Sequence, residues 1–137
     1  MKTLFRPQAT PPWLFELVRF GLVGVAGFVV NAVGVALIAK ITNLYLAGLL
    51  SWVVAATVTW FLNRIWTFAE REHVPMWRQW LHFLGANFFG LILYYATYAA
   101  AIFAIPQCAA HPVGAVAAGS LAGLIANFTL SKRLVFR

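Results

Sequence analysis

Charged residues are scarce in this chain. It has 137 residues, of which 63% are hydrophobic and 9% are charged, whereas a soluble domain has about 25% charged residues. So few charges cannot cover a water-exposed surface, and a chain of this length predicts one domain that lies in lipid. The net charge of +7 does not indicate nucleic-acid binding, because the basic residues lie between apolar runs and form no basic face in water.

The motifs that most enzymes and metal sites need are also missing from the sequence. Cys108 is the single cysteine, so no disulfide can form within the chain, and we interpret it as an apolar filler near a helix end. The histidines, His73, His82 and His111, lack the spacing of metal ligands. There is no phosphate-binding loop, nucleophile elbow or HExxH motif. We therefore expect a protein that is not an enzyme and that holds neither a metal nor a cofactor.

Four long apolar runs are present instead. A helix that crosses the hydrocarbon core needs about 20 apolar residues, and the runs that meet this length are 17–39, 44–63, 80–104 and 113–131. They do not alternate polar and apolar residues as membrane strands would. We predict an all-α integral membrane protein with four transmembrane helices, in which Pro106 and Pro112 interrupt the chain between the last two.

The basic residues are concentrated on one side of this layout. Nine of the ten Lys and Arg residues lie in the N-terminal segment, in the loop between the second and third runs, and in the C-terminal tail. Only Lys40 lies on the other side. Because positive charge marks the cytoplasmic side of membrane proteins, we predict a multi-pass protein of the cytoplasmic membrane with both termini in the cytoplasm.

The second and fourth runs end in similar ways. FLNRIWTF occupies residues 61–68 and TLSKRLVF occupies residues 129–136. When the endings are aligned, small or polar residues also coincide along the preceding helices: Ser51 with Gly119, Ala55 with Gly123, Thr59 with Asn127, and Asn63 with Ser131. This pattern predicts two helical hairpins related as a parallel repeat. Each hairpin returns its basic residue to the interface, because a charge at mid-bilayer costs about 2.5–3.5 kcal/mol or more.

Small and polar residues also lie within the apolar runs. The glycines that predict close helix packing are Gly24, Gly27, Gly119 and Gly123. The polar residues are Asn31, Thr59, Asn87 and Asn127. Hydrogen bonds between membrane helices contribute only about 0.6 kcal/mol on average. Two interpretations therefore remain open for the polar residues, helix packing and the lining of a polar cleft.

Two motifs resemble the GtrA-like family of small membrane proteins. One is R-F-x-x-V-G, formed by Arg19, Phe20, Val23 and Gly24, and the other is N-R-x-W-T-F, formed by Asn63, Arg64, Trp66, Thr67 and Phe68. The similarity extends over roughly residues 14–137, although the terminal ending has SKRLVF in place of the second motif. The resemblance implies a role in cell-surface polysaccharide synthesis. In that role the protein would bind polyprenyl phosphate, or a sugar linked to it, and move or present it at the membrane.

Basic residues at the cytoplasmic rim are suited to hold the phosphate of such a lipid, since Arg makes bidentate contacts with phosphate. The residues that we predict to contact the anion are Arg19, Asn63, Arg64, Arg78, Lys132 and Arg133. Arg64 is the strongest candidate, because it lies at a helix end beside Asn63 and Trp66. The alternative is that these charges serve only topology and headgroup anchoring.

Three functions are compatible with these features. The first is a carrier or flippase for polyprenyl-phosphate-linked sugar, and the second is a non-transporting adaptor that anchors or regulates a membrane glycosyltransferase. The third, a small multidrug exporter, is disfavoured because such exporters use a membrane-embedded carboxylate and the last three runs contain no Asp or Glu. Glu16 precedes the first run, and its spacing predicts a pair with Arg19.

The glycine faces provide more close-packing surface than one hairpin contact requires. We therefore predict a homodimer whose interface is the glycine face that the contact within a hairpin leaves unused. Because all copies would insert with the same charge bias, its two-fold axis should lie along the membrane normal, which makes the dimer parallel.

Overall fold

The computed structural model describes residues 10–71, 74–111 and 113–137. Four long helices dominate these ranges: α1 (Pro12–Ile38), α2 (Leu44–Leu62), α3 (Met76–Ala104) and α5 (Val113–Leu130). A short helix, α4 (Pro106–Ala110), joins α3 to α5. Two single turns of π-helix continue α2 and α5; we call them the first π-turn (Asn63–Thr67) and the second π-turn (Ser131–Val135).

All four long helices are apolar and long enough to span a bilayer. The prediction of an all-α membrane protein with four spanning helices is therefore confirmed. Two boundaries differ from the predicted runs, because α1 begins at Pro12 and α3 at Met76, before the respective apolar runs begin. These first turns contain polar and aromatic residues, which suit the interface between lipid and water.

Local sequence explains where the helices begin and end. Pro12 occupies the first position of α1, where its missing N–H is not needed. Asn43 caps α2, and its Oδ1 accepts a hydrogen bond from the Leu46 N–H at 2.9 Å. Ile105 is extended, as a residue before proline tends to be, so α3 ends there and Pro106 begins α4.

Small residues set the contact between α1 and α2. A Cβ atom on Gly27 would collide with the Thr59 side chain, and one on Gly34 would collide with Ser51. The Ser51 hydroxyl donates to the Asn31 carbonyl at 2.7 Å. Gly24 differs, because a Cβ there would meet nothing within 4 Å. Gly24 therefore faces open space and touches no neighbouring helix through this position, and its role in close packing stays a prediction.

The contact between α3 and α5 uses the same device. A Cβ atom on Gly119 would lie 2.9 Å from the Tyr94 carbonyl oxygen, and one on Gly123 would lie 3.3 Å from the Gly90 carbonyl oxygen. Gly90 in turn faces the Asn127 side chain. Thus α1 packs mainly on α2 and α3 mainly on α5. The repeat relation between these two pairs stays a prediction.

The two pairs meet at one end of the bundle, where aromatic side chains form the core. Phe68 and Phe136, which close the two similar sequence endings, stack with their ring centroids 4.8 Å apart. Phe20 packs edge-on against Phe128 at 5.6 Å. The N-terminal part of α1, the loop after the first π-turn and the C-terminal residues lie at this end, which we call the basic end.

Candidate functional site

A cavity of about 260 Å³ lies between the four long helices. Its polar lining residues are Asn31, Thr59, Asn63, Asn87 and Asn127, and Gly24 and Gly27 also border it. No charged side chain from the described part of the chain lines it. We call it the amide cavity. It brings together all four residues for which the sequence left a polar cleft open, whereas Gly119 and Gly123 lie outside it, in the contact between α3 and α5.

The amide cavity contains two buried acceptor atoms without donors. Asn31 Oδ1 and Asn127 Oδ1 have no hydrogen-bond partner among the residues that the structure describes. An acceptor buried in this way costs about 1–3 kcal/mol. A hydroxyl group of a ligand, or a water molecule, would remove that cost by donating to these oxygens once the amides turn toward the cavity.

Two other polar groups of the cavity bond within their own helices. Asn87 Nδ2 donates to the Phe83 carbonyl at 2.9 Å, and the Thr59 hydroxyl donates to the Ala56 carbonyl at 3.0 Å. The side-chain amides of Asn31 and Asn127 form no hydrogen bond with any residue that the structure describes, so these two amides are the polar groups that a ligand would meet.

The amide cavity reaches deep into the bundle. Its lining includes Asn63, where α2 ends at the basic end, and Trp52 further along the same helix. At about 1.5 Å per residue these two residues are separated by about 16 Å along the axis. A hydrocarbon core is about 30 Å thick, so the cavity extends from the basic end about halfway across it.

A second cleft, of about 270 Å³, lies at the surface of the basic end. Arg19, Arg71, Glu16 and Glu70 line it, together with Trp66. The Arg19 side chain is exposed, and its guanidinium carbon lies 5.9 Å from the centre of the Trp66 ring. We call this the rim cleft. Its mixed charges and its position at the end of the bundle suit the headgroup region of a membrane.

Glu16 binds two cations at the rim cleft. Arg71 Nη2 lies 2.8 Å from Glu16 Oε1, and Lys132 Nζ lies 2.5 Å from Glu16 Oε2. The predicted pair between Glu16 and Arg19 is therefore wrong. The stacking of Phe68 on Phe136 brings the chain after the first π-turn over α1, so Arg71 reaches Glu16 where the helix neighbour Arg19 does not.

Arg71 also ties the basic end together through the backbone. Its Nη1 donates to the Lys132 carbonyl at 3.3 Å and to the Phe136 carbonyl at 3.2 Å. Its Nε is buried and donates to no acceptor within the described ranges. One guanidinium thus connects α1, the loop and the second π-turn, and still has a free donor.

Gln79 is a second organising residue of the basic end. It is buried, and its Oε1 accepts from Arg64 Nη1 at 2.5 Å and from Trp60 Nε1 at 3.2 Å. Its Nε2 donates to the Val135 carbonyl at 3.3 Å. Sequence reasoning missed both Gln79 and Arg71. The available signal for Gln79 was a lone amide near the start of a long apolar helix.

The residues predicted to contact an anion occupy different environments. Arg19, Arg78 and Arg133 are exposed at the basic end. Arg64 is half-buried and also donates to the Val74 carbonyl at 3.3 Å, and Lys132 is paired with Glu16. The structure therefore places three of the cations free to meet an anion. Anion binding by any of them stays a prediction.

Asn63 connects the two cavities. Its buried side chain lines the amide cavity, and its Oδ1 accepts a hydrogen bond of 2.7 Å from the Thr67 hydroxyl, which lines the rim cleft. One hydrogen bond therefore links a residue that lines the charged rim cleft to a residue that lines the uncharged amide cavity.

Four apolar helices around a polar cavity define a multi-pass membrane protein. A family model described as GtrA/DPMS, transmembrane domain, matches residues 19–136, and no curated protein matches the chain. Because the match covers most of the sequence, the chain belongs to the GtrA/DPMS family, and the resemblance drawn from the two motifs is confirmed. The family indicates a membrane protein of glycosylation or lipid-linked sugar processes.

Proposed function

We propose that this protein is a membrane carrier for polyprenyl phosphate or polyprenyl-phosphate-linked sugar in the synthesis of cell-envelope polysaccharide. The observation that supports this most strongly is the pairing of the amide cavity with the rim cleft through Asn63 and Thr67. A lipid of this class has an anionic group next to a hydroxyl-rich sugar. The two cavities offer charged side chains, among them Arg19 and Arg71, and unbonded side-chain amides in the same order.

Each part of the lipid has a suitable environment in this proposal. In the bound state the phosphate lies at the rim beside Arg19 and its basic neighbours, so its charge does not bear the cost of about 2.5–3.5 kcal/mol or more of a position at mid-bilayer. The prenyl tail remains in lipid against the exposed apolar side chains. The sugar enters the amide cavity, where its hydroxyl groups donate to Asn31 Oδ1 and Asn127 Oδ1.

The size of the amide cavity favours a small head. At about 260 Å³ it is smaller than the sites of about 300–1,000 Å³ that hold drug-sized ligands. We therefore expect a single sugar unit to enter it, and a longer oligosaccharide to be excluded.

The orientation in the cytoplasmic membrane is part of the proposal. Its support is the nine-to-one distribution of basic residues, which predicts that the basic end faces the cytoplasm. Cys108→Ser followed by single cysteines at Ala69 or Gln107 tests this, because both positions are exposed. An impermeant thiol reagent applied from outside should label position 107 and leave position 69 unlabelled. Labelling of position 69 from outside would show that the orientation is the opposite of the proposed one.

Transport is tested with the purified protein alone in proteoliposomes. We expect it to move a fluorescent polyprenyl-phosphate-linked sugar between leaflets. The variant Asn31→Ala/Asn127→Ala should reduce the rate, whereas Asn43→Ala, which lies outside both cavities, should leave it unchanged. A protein that moves no lipid but co-purifies with a membrane glycosyltransferase would instead be the adaptor.

We further propose that the protein forms a parallel homodimer. The glycine argument for it is weaker than the sequence indicated, because Gly27, Gly119 and Gly123 pack within the chain. The charge bias fixes only the orientation of the copies, which must be parallel. Trp66 is exposed at the basic end, so cysteines at position 66 should crosslink to each other in native membranes. Absence of crosslinks at any position would indicate a monomer.

A further inference from the structure

In the rim cleft, one acidic side chain, Glu16, pairs with two of the cations. Among the residues that line it, Arg19 and Arg71 are balanced by Glu16 and Glu70, and Lys132 adds a third cation through its contact with Glu16. Glu70 is exposed and forms no ion pair with any residue that the structure describes. Glu16 is therefore the acidic residue of the cleft that forms ion pairs within the described residues, one with Arg71 and one with Lys132.

The carboxylate of Glu16 presents the chemistry that a phosphate would present. Its two oxygens bind one guanidinium and one ammonium group, as two phosphate oxygens do when Arg and Lys hold a phosphate. The Arg71 Nε donor has no acceptor among the described residues. A phosphate has three or more acceptor oxygens, so it can satisfy Arg71 and Lys132 more fully than a carboxylate.

We infer that Glu16 is an internal competitor for a ligand phosphate, which displaces its carboxylate from Arg71 and Lys132 on binding. The inference deepens the proposed function and rests on it, because it assigns Arg71 and Lys132 as the phosphate-binding pair and Glu16 as the residue that sets their affinity. The ligand group is a phosphate ester whose negative charge replaces that of Glu16.

Partial exposure makes the exchange physically accessible. The side chains of Glu16, Arg71 and Lys132 are 21%, 27% and 29% exposed, so water can solvate Glu16 once it turns away. Ion pairs with this exposure contribute little net stability. A carrier also needs binding that is weak enough to allow release, and the return of Glu16 to its two cations would promote that release.

Displacement of Glu16 would also loosen the basic end. Its two ion pairs connect α1 to the loop at Arg71 and to the second π-turn at Lys132. Breaking both frees the first turns of α1 beside Phe20, which lines the amide cavity. Phosphate binding at the rim would thereby give the attached sugar access to the cavity.

The test compares two charge-neutralising variants in nanodiscs of uncharged lipid. Polyprenyl phosphate is titrated into the wild type, Glu16→Gln and Glu70→Gln, and binding is followed by the change in tryptophan fluorescence. Glu16→Gln should bind roughly tenfold more tightly, because about 1.4 kcal/mol of competition is removed. Glu70→Gln loses the same charge from the same cleft but frees no cation, so its affinity should rise much less than that of Glu16→Gln.

Three further variants keep the test valid if the Glu16→Gln protein does not fold. Lys132→Met should weaken binding, whereas Lys132→Arg should retain it, since only the latter keeps a cation for the phosphate. Glu16→Asp, with a shorter carboxylate, should give an affinity between those of the wild type and Glu16→Gln. Helical content and thermal unfolding verify that each protein is folded.

The outcomes separate the inference from the proposed function. Tighter binding by folded Glu16→Gln supports the competitor role, and equal or weaker binding overturns it while leaving the carrier intact. If neither the wild type nor any variant binds polyprenyl phosphate, the proposed function fails and the inference with it. Inorganic phosphate and phosphatidylglycerol are titrated in parallel. Stronger competition by inorganic phosphate than by either lipid would identify a site for free phosphate and contradict a lipid ligand.

Discussion

The two helix endings, FLNRIWTF and TLSKRLVF, adopt the same backbone geometry with different polar partners. In each, the N–H of the last Phe donates to a carbonyl five residues earlier at 2.8 Å, Phe68 to Asn63 and Phe136 to Ser131. The two rings then stack on each other. The pattern that recurs in the sequence thus fixes a π-turn and an aromatic contact, and a π-turn of this kind is frequent at functional sites.

The polar positions of the two endings differ in what they bind. In the first, Asn63 Oδ1 accepts from Thr67 and Arg64 donates to Gln79, so both side chains bond within the protein. In the second, Ser131 Oγ has no partner among the described residues, and Lys132 binds Glu16 at the partly exposed rim. The comparison teaches that one ending holds the loop in place, while the other presents a cation that an external anion can reach.

The largest expected effect concerns what the endings share. Phe136→Ala removes the ring that stacks on Phe68, and we expect it to lower the free energy of unfolding by about 3 kcal/mol. Leu134→Ala in the same ending is the control, because Leu134 is exposed and should cost under about 1 kcal/mol in a lipid-like environment. Unfolding in detergent by increasing denaturant measures both. Equal losses would show that the aromatic stack does not join the two helix pairs.

The next prediction concerns the buried hydrogen bond between Thr67 and Asn63, which has no counterpart in the second ending. Thr67→Val leaves Asn63 Oδ1 without its donor and should cost about 1–2 kcal/mol of unfolding free energy. Asn63→Ser/Thr67→Val recreates the Ser and Val pair of the second ending, where Ser131 Oγ is buried without a partner among the described residues. It replaces the unpaired amide of Asn63 by a smaller hydroxyl group, so it should cost less than Thr67→Val alone. A double variant that is less stable than the single one would mean that the two endings are not equivalent in packing.

A smaller effect distinguishes the basic residues of the endings. Arg64→Gln removes the bonds to Gln79 and to the Val74 carbonyl and should cost about 1 kcal/mol, whereas Arg133→Gln, at an exposed position, should stay within about 0.5 kcal/mol. Both variants are also titrated with polyprenyl phosphate, since both residues are predicted anion contacts. A loss of stability in Arg64→Gln with unchanged affinity would leave Arg64 a structural role only.

The smallest effect extends the comparison from the endings to the helices before them. Gly24→Ala adds a methyl group that meets nothing, so stability should change by less than about 0.5 kcal/mol. Gly27→Ala, one turn further along α1, directs the same methyl group into Thr59 and should be clearly destabilising. Similar thermal unfolding of the two variants would contradict the packing of α1 on α2.

Much of the fold could be predicted because its determinants are local. The four apolar runs predicted four spans, and the polar residues Asn31, Thr59, Asn87 and Asn127 marked the faces that surround one cavity. The partner of Glu16 could not be predicted in this way. Spacing rules favour Arg19, three residues along the helix, whereas Arg71 is 55 residues away in the chain and arrives only through the aromatic contact between the endings.

The hydrogen bonds of Gln79 could not be predicted from the sequence for a related reason. A single amide in a helix predicts no partner by itself. The partners of Gln79 come from two segments far apart in the chain: Trp60 and Arg64 lie where α2 runs into the first π-turn, and the Val135 carbonyl lies in the second π-turn. The rim cleft likewise depends on the loop after the first π-turn folding back over α1. Local patterns predicted which helix faces carry polar residues. Tertiary packing decides which of those residues bond within the protein and which can bind a ligand.

The most direct test of the account is whether the amide cavity recognises the sugar. Affinities for polyprenyl phosphate and for the same lipid linked to one sugar are measured in nanodiscs, with the wild type and with Asn31→Ala/Asn127→Ala. We expect the wild type to bind the glycosylated lipid more tightly, and the double variant to lose this difference while binding polyprenyl phosphate as before. An equal preference for the glycosylated lipid in both proteins, or no preference in the wild type, would contradict the account.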